Sequence, residues 1–195
     1  MSKIEFIIPT YNRPDFLMCT INSIVAQRSS DWKIHVVADC PPEGTLDKIM
    51  NYFEGDDRIK FTILPERYND WGHTPRNYGM EHATEDWVVM TGEDNYYTPV
   101  FVDHFLDAVK ERPGAHFVFC NMLHNWTDFQ YYAIDCSPKK YQIDIGNFMV
   151  KRKYGKKIKL DVTNITADGD YVEEYLKRFT SGEVLKINKV LYVHN

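Results

Sequence analysis

The chain has 195 residues, enough for one α/β domain to close a core without disulfide or metal staples. A formal charge of −5 argues against a nucleic-acid partner, because neutralising phosphates takes clustered Lys and Arg. There is no apolar run of the length a signal peptide or transmembrane segment needs, and Cys19, Cys40, Cys120 and Cys136 are too widely spaced for a zinc or redox pair, so free thiols and a cytoplasmic location are expected.

Short β-type runs alternate with amphipathic helical segments through the first 120 residues, the pattern of a mostly parallel sheet with helices on both faces. Residues 4–8 open the sheet. Pro14 and Asp15 then suit a helix amino terminus, and Leu17, Ile21, Ile24 and Val25 share one helical face. Residues 34–38 form a second strand, and the turn at Pro41 to Gly44 leads into a helix carrying Leu46, Ile49, Met50 and Phe53. Alternation and β-branched content make 59–64 a third strand, followed by a helix over 75–83 with Pro75 at its start. The apolar run 87–90 reads as a buried parallel strand and 100–110 as a helix. Beyond Pro113 and Gly114 the pattern changes: a strand at 116–121, aromatic segments at 129–133 and 143–150 that look antiparallel, a last helix over 169–179 and a terminal strand over 184–193.

The fourth strand ends in Thr91-Gly-Glu-Asp-Asn-Tyr-Tyr-Thr-Pro99, which places Glu93 and Asp94 where open α/β sheets bind ligands. A carboxylate there can hold a hard divalent cation, which can neutralise a departing pyrophosphate; the same residues also suit a plain polar turn. The basic run 151–159 is either a solvated surface turn or an electrostatic lip for an anionic substrate or a membrane surface.

Ile8-Pro-Thr-Tyr-Asn-Arg-Pro14 with Ser23-Ile-Val-Ala-Gln27, then Asp39, Arg76-Asn-Tyr-Gly79 and Glu93-Asp-Asn-Tyr-Tyr-Thr-Pro99, follow in an order that resembles family 2 glycosyltransferases over residues 4–110. The resemblance implies a GT-A fold, here a single domain over 1–195 with a nucleotide-sugar half at 1–112 and an acceptor half at 113–195. It implies that Thr10 and Tyr11 flank the nucleotide base with Tyr11 stacking on it, that Arg13 belongs to the same nucleotide-binding segment, and that Arg76 approaches the donor sugar or diphosphate. Asp39 would accept a hydrogen bond from the base; a carboxylate suits the N3–H of uracil, which favours a UDP-sugar. Gly79 would let its helix pack closely. The chain departs from the family's Asp-x-Asp by carrying Gly92 at the first position, so Asp94 is expected to hold Mn2+ or Mg2+ and Glu93 to contact the ribose or a metal-bound water.

Ala167-Asp-Gly-Asp-Tyr-Val172 resembles the family's later acidic motif, which makes Asp168 the expected catalytic base; helix capping is the other reading of Asp168 and of Asp170. His194 corresponds to a late histidine that family members bring to the metal, and neutral imidazole is a competent ligand. Trp126, Phe129, Tyr131 and Tyr132 could stack on acceptor sugars or belong to the core. The Gln-x-x-Arg-Trp signature of processive synthases is absent from the sequence, so transfer of one sugar to a carbohydrate or other hydroxyl acceptor is expected. A nucleotidyltransferase and a non-catalytic sugar- or nucleotide-binding module of the same fold stay open as alternatives.

Overall fold

The structure is a computed structural model that describes residues 2–127, 130–180 and 182–195. In chain order its elements are β1 (Ile4–Thr10), α1 (Pro14–Val25), β2 (Trp32–Ala38), α2 (Asp47–Tyr52), β3 (Ile59–Ile63), α3 (His73–His82), β4 (Trp87–Met90) and β5 (Tyr96–Tyr97). Then come α4 (Phe101–Glu111), β6 (Ala115–Thr127), β7 (Gln130–Ile134), β8 (Phe148–Lys151), α5 (Arg152–Gly155), α6 (Ala167–Arg178) and β9 (Glu183–His194).

The strands form one sheet in the order β3-β2-β1-β4-β8-β6-β9-β5, with β7 paired to β6. β1 to β4 run parallel; β1, β2 and β4 are buried on both faces almost throughout, as parallel strands in such sheets are, whereas β3 lies at the sheet edge and is half-exposed. β8 is antiparallel to both β4 and β6, and β9 is parallel to β6. The chain moves outward from β1 to β3 and then returns to place β4 on the other side of β1. That reversal opens a crevice at the carboxyl ends of β1 and β4, the position where such sheets bind ligands.

Core packing fixes how far these strand ends project. Leu17, Ile21 and Ile24 of α1 are fully buried, whereas Val25, expected on the same face, is exposed at the helix end. The Phe6 ring meets Tyr97 at 5.0 Å, and Tyr97 meets Phe101 at 4.7 Å, which ties the segment after β4 to the underside of β1. A side chain at Gly79 would overlap the Ile7 side chain, so glycine does let α3 lie close on β1.

The expected strand at 143–150 is restricted to Phe148–Lys151. Asp144 Oδ1 accepts from the Gly146 amide at 2.8 Å, and Asn147 Oδ1 accepts from the Asp144 amide at 3.2 Å, so local side-chain bonds replace a strand ladder with a turn. The short β5 and α5 were not foreseen. α5 lies in the basic run, where Lys151 pairs in register with Trp87 at the start of β4 and Arg152 Nε donates to the Glu85 carbonyl at 2.9 Å. This places the start of the run at the amino end of β4, the opposite end of that strand from Glu93, while Lys159 at its end lies beside Thr74 and Asn77 of α3. Among the described residues no helix is long and apolar enough to cross a membrane, and all four cysteines are free.

Candidate active site

β1 outruns β4: Ile7 pairs with Met90, so Pro9 and Thr10 project beside the segment that follows β4. The Thr91 amide continues the pairing by donating to the Ile7 carbonyl at 3.0 Å, and the chain then turns through Gly92. A Cβ at 92 would come within 2.9 Å of both Asp94 Oδ1 and Asn95 Nδ2, so a side chain there would require those two side-chain ends to shift. The Thr10 hydroxyl donates to the Glu93 carboxylate. Arg13, at the entrance to α1, donates from Nε to Glu93 Oε1 at 2.8 Å, and its Nη1 pairs with Asp94 Oδ2 at 2.9 Å. Glu93 is thus buried with both oxygens engaged, which makes it the anchor of Thr10 and Arg13. Thr20 of α1, which the sequence reading missed, holds this turn from below, its hydroxyl lying 2.7 Å from the Glu93 carbonyl and 2.8 Å from that of Asn95.

Asp39 follows β2 and accepts from the Tyr68 and Asn69 amides at 2.9 Å each, fastening the segment between β3 and α3. α3 starts from Gly72, whose φ of +81° and close approach to the Pro9 side chain both require glycine. Arg76, in the first turns of α3, is buried. Its Nε donates to the Thr91 carbonyl and its Nη1 to that of Trp71, both at 2.9 Å. Burial pulls the guanidinium below its ordinary pKa, while Asp144, Tyr192, Asp168 and Asp94 act in the other direction. A cavity of about 320 Å³ runs between these groups, bounded by Thr10, Tyr11, Arg13, Asp39, Arg76 and the turn at 92–94.

A second cavity, about 200 Å³, shares Trp71 and Arg76 with the first and adds His73, Asp144, Asp168 and His194. Asp168 lies in the first turn of α6, where its Oδ1 accepts from the Gly169 amide at 2.7 Å. Burial, and then the nearby charge of Asp144, raise its carboxyl above the ordinary aspartate range. Asp170 turns away to Lys140 Nζ at 2.6 Å and Asn164 Nδ2 at 2.5 Å. His194 Nε2 lies 3.3 Å from Asp144 Oδ2, which leaves the buried Nδ1 without a hydrogen-bond partner. Asp144 also accepts from the Tyr192 hydroxyl at 2.5 Å. Its place in the site was not foreseen; the spacing Asp144-Ile-Gly-Asn147 is a turn signal, and read as one it would have brought Asp144 out of the supposed strand.

Asp94 and His194 therefore face Arg76 from different cavity walls, and among the described residues no three His, Cys, Asp or Glu side chains are grouped as a metal cage. Tyr131 and Tyr132 are exposed on β7 and are not core residues. Phe129 lies outside the described residues, as does the Trp126 side chain.

Residues 5–169 match the family described as Glycosyl transferase family 2. The chain belongs to that family. It is 29% identical over 112 residues to the putative teichuronic acid biosynthesis glycosyltransferase TuaG of Bacillus subtilis (57% of this chain, 44% of that protein). It is 32% identical over 123 residues to the GalNAc(5)-diNAcBac-PP-undecaprenol beta-1,3-glucosyltransferase of Campylobacter jejuni (63% of this chain, 39% of that protein). The chain spans less than half the length of either relative. Among solved structures it superposes on S. aureus TarS 1-349 in complex with UDP with a TM-score of 0.80 at 16% identity, covering 98% of this chain and 60% of that one. The mannosyltransferase PcManGT of Pyrobaculum calidifontis, in complex with GDP-Man and Mn2+, gives 0.76 at 14% identity, covering 99% and 56%. The family 2 chain thus has the GT-A fold that its opening motifs imply.

Proposed function

We propose that this family 2 chain transfers one sugar from a nucleoside diphosphate donor, a UDP-sugar by preference, to a carbohydrate or other hydroxyl acceptor, with inversion and with help from Mn2+ or Mg2+. The observation that carries the reading is the sharing of Arg76 and Trp71 by two cavities, one bounded by Thr10, Tyr11, Arg13, Asp39 and Asp94, the other holding Asp168. A donor lying across that seam has its diphosphate beside Arg13 and Arg76 and its sugar turned toward Asp168. Tyr11 offers the base an aromatic face, and each Asp39 oxygen keeps a second lone pair for an imide N–H after accepting an amide.

Asp94 and His194 are the residues that would hold the divalent ion. His194 fits the role, because a ligating histidine directs its other ring nitrogen at a carboxylate, as Nε2 does toward Asp144, and keeps a free lone pair, here on Nδ1. A hard cation held by one or two carboxylates together with substrate phosphates needs no prebuilt cage. Bound there, it would supply Lewis-acid stabilisation of the leaving diphosphate. Asp168 accepts the acceptor hydroxyl's proton as that oxygen forms its bond to the anomeric carbon; the bond from that carbon to the phosphate oxygen breaks, and the electron pair leaves on the diphosphate. Its raised pKa makes Asp168 a stronger base than an exposed aspartate.

The test is nucleoside diphosphate release from a panel of UDP-sugars and GDP-mannose with an acceptor mixture, for the wild type and Asp168→Asn. Release by the wild type and loss in the variant, with UDP affinity unchanged, supports the assignment. Nucleotide binding without any release by the wild type would instead favour a binding module, the reading that Gly92 and the Arg13–Asp94 pair keep open.

A further inference from the structure

Two groups that the donor reading gives to the nucleobase, the Tyr11 ring and the Asp39 carboxylate, are both engaged by one exposed stretch of chain, residues 65–69. The Arg67 guanidinium lies over the Tyr11 ring with its central carbon 3.6 Å from the centroid, the separation of stacked planes. Its Nη2 donates to Asn69 Oδ1 at 2.8 Å, and Asn69 sits at a φ of +53°, a left-handed conformation that asparagine tolerates. Tyr11 and Arg67 both line the larger cavity.

We propose that Arg67 occupies the nucleobase subsite in the free protein and must leave the Tyr11 face when a nucleotide binds, so that this side chain sets nucleotide affinity. The inference rests on the donor reading above. A guanidinium and a base are both flat and delocalised and stack on an aromatic ring at the same separation, so one face of Tyr11 holds one or the other. Asp39 differs, since its spare lone pairs admit an imide N–H without release of the Tyr68 and Asn69 amides. The backbone anchor at Asp39 and the Leu64 amide bond to the Ala38 carbonyl at 2.9 Å can therefore stay while the exposed Arg67 side chain swings out.

The experiment is calorimetric titration of UDP into the wild type and Arg67→Ala at about 1 M salt, where the screening length of about 3 Å removes most of the general attraction between Arg67 and the diphosphate. Simple electrostatics predicts weaker binding when a positive charge is deleted beside an anionic ligand. Displacement predicts the opposite: about two- to fivefold tighter binding by Arg67→Ala, the size of an exposed cation–π contact, with Arg67→Lys, which keeps the charge and loses the planar stack, shifting the same way. UDP binding detectable only in Arg67→Ala also supports the proposal. Equal or weaker binding by Arg67→Ala overturns it and makes Arg67 a clamp on the base. Failure of both proteins to bind UDP or GDP removes the donor reading, and this inference with it. Unchanged melting temperatures verify that the variants are folded.

Discussion

The larger cavity takes its side chains from the carboxyl ends of β1, β2 and β4, the connection from β3 to α3 and the first turns of α3. The smaller one combines Trp71 and His73 with Asp144, Asp168 and His194, which come from a turn, a helix start and the end of the last strand. In the first, parallel strands in register fix the relative heights of Thr10, Asp39 and Glu93, so the backbone sets the geometry. In the second, long-range packing brings the groups together. On the proposed reading, a donor common to many enzymes is met by the regular scaffold and the acceptor by the irregular segments.

Four changes break or sharpen this contrast. Asp168→Asn should reduce turnover by about 10²- to 10⁴-fold with little effect on UDP affinity, since the larger cavity does not include it. Because Asp168 titrates above the ordinary carboxylate range, the acidic limb of the wild-type kcat/KM profile should also lie above that range, with activity falling as pH drops through it. Arg76→Ala should impair both cavities and lower stability by about 3 kcal/mol, as two buried carbonyls lose a charged donor; urea unfolding measures this. In β2, His35 is buried with its pKa lowered to about 4, first by desolvation. The depressed pKa gives stability that is fully present above the unfolded value near 6.5 and lost as pH falls toward 4. The loss should be about 3 kcal/mol, and His35→Gln should flatten it in pH-dependent melts. Tyr131→Ala, on exposed β7, should move stability by no more than about 0.5 kcal/mol and leave UDP binding unchanged.

The same contrast explains what could be read from the chain beforehand. The β1 to β4 half was legible because buried parallel strands are continuous apolar runs, and helix starts such as Pro14 carry local signals. Thr10, Arg13 and Glu93 were named as site residues, yet their mutual bonding was not visible, since it depends on β1 outrunning β4. Asp144 was hidden because the apolar spacing of Ile143, Ile145 and Phe148 resembles a strand and outweighs the turn signal Asp144-Ile-Gly-Asn147, which the Gly146 and Asn147 hydrogen bonds bear out. Thr20 looked like an ordinary helical residue, and its role appears only when the 93–95 turn lies over α1. Arg67 had no local signal at all; its significance is its contact with Tyr11, 56 positions away.

The measurement closest to the central claim is a thermal-shift titration of the wild type and Asp94→Asn with UDP, with and without Mn2+. At about a hundredfold over its dissociation constant, UDP should stabilise the wild type by about 2.7 kcal/mol, roughly 5 to 10 °C for a chain of this length. The shift should be larger with Mn2+ and lose that metal dependence in Asp94→Asn. No shift with UDP or GDP under any of these conditions would contradict the account, and Glu93 and Asp94 would then form only a polar turn held by Arg13.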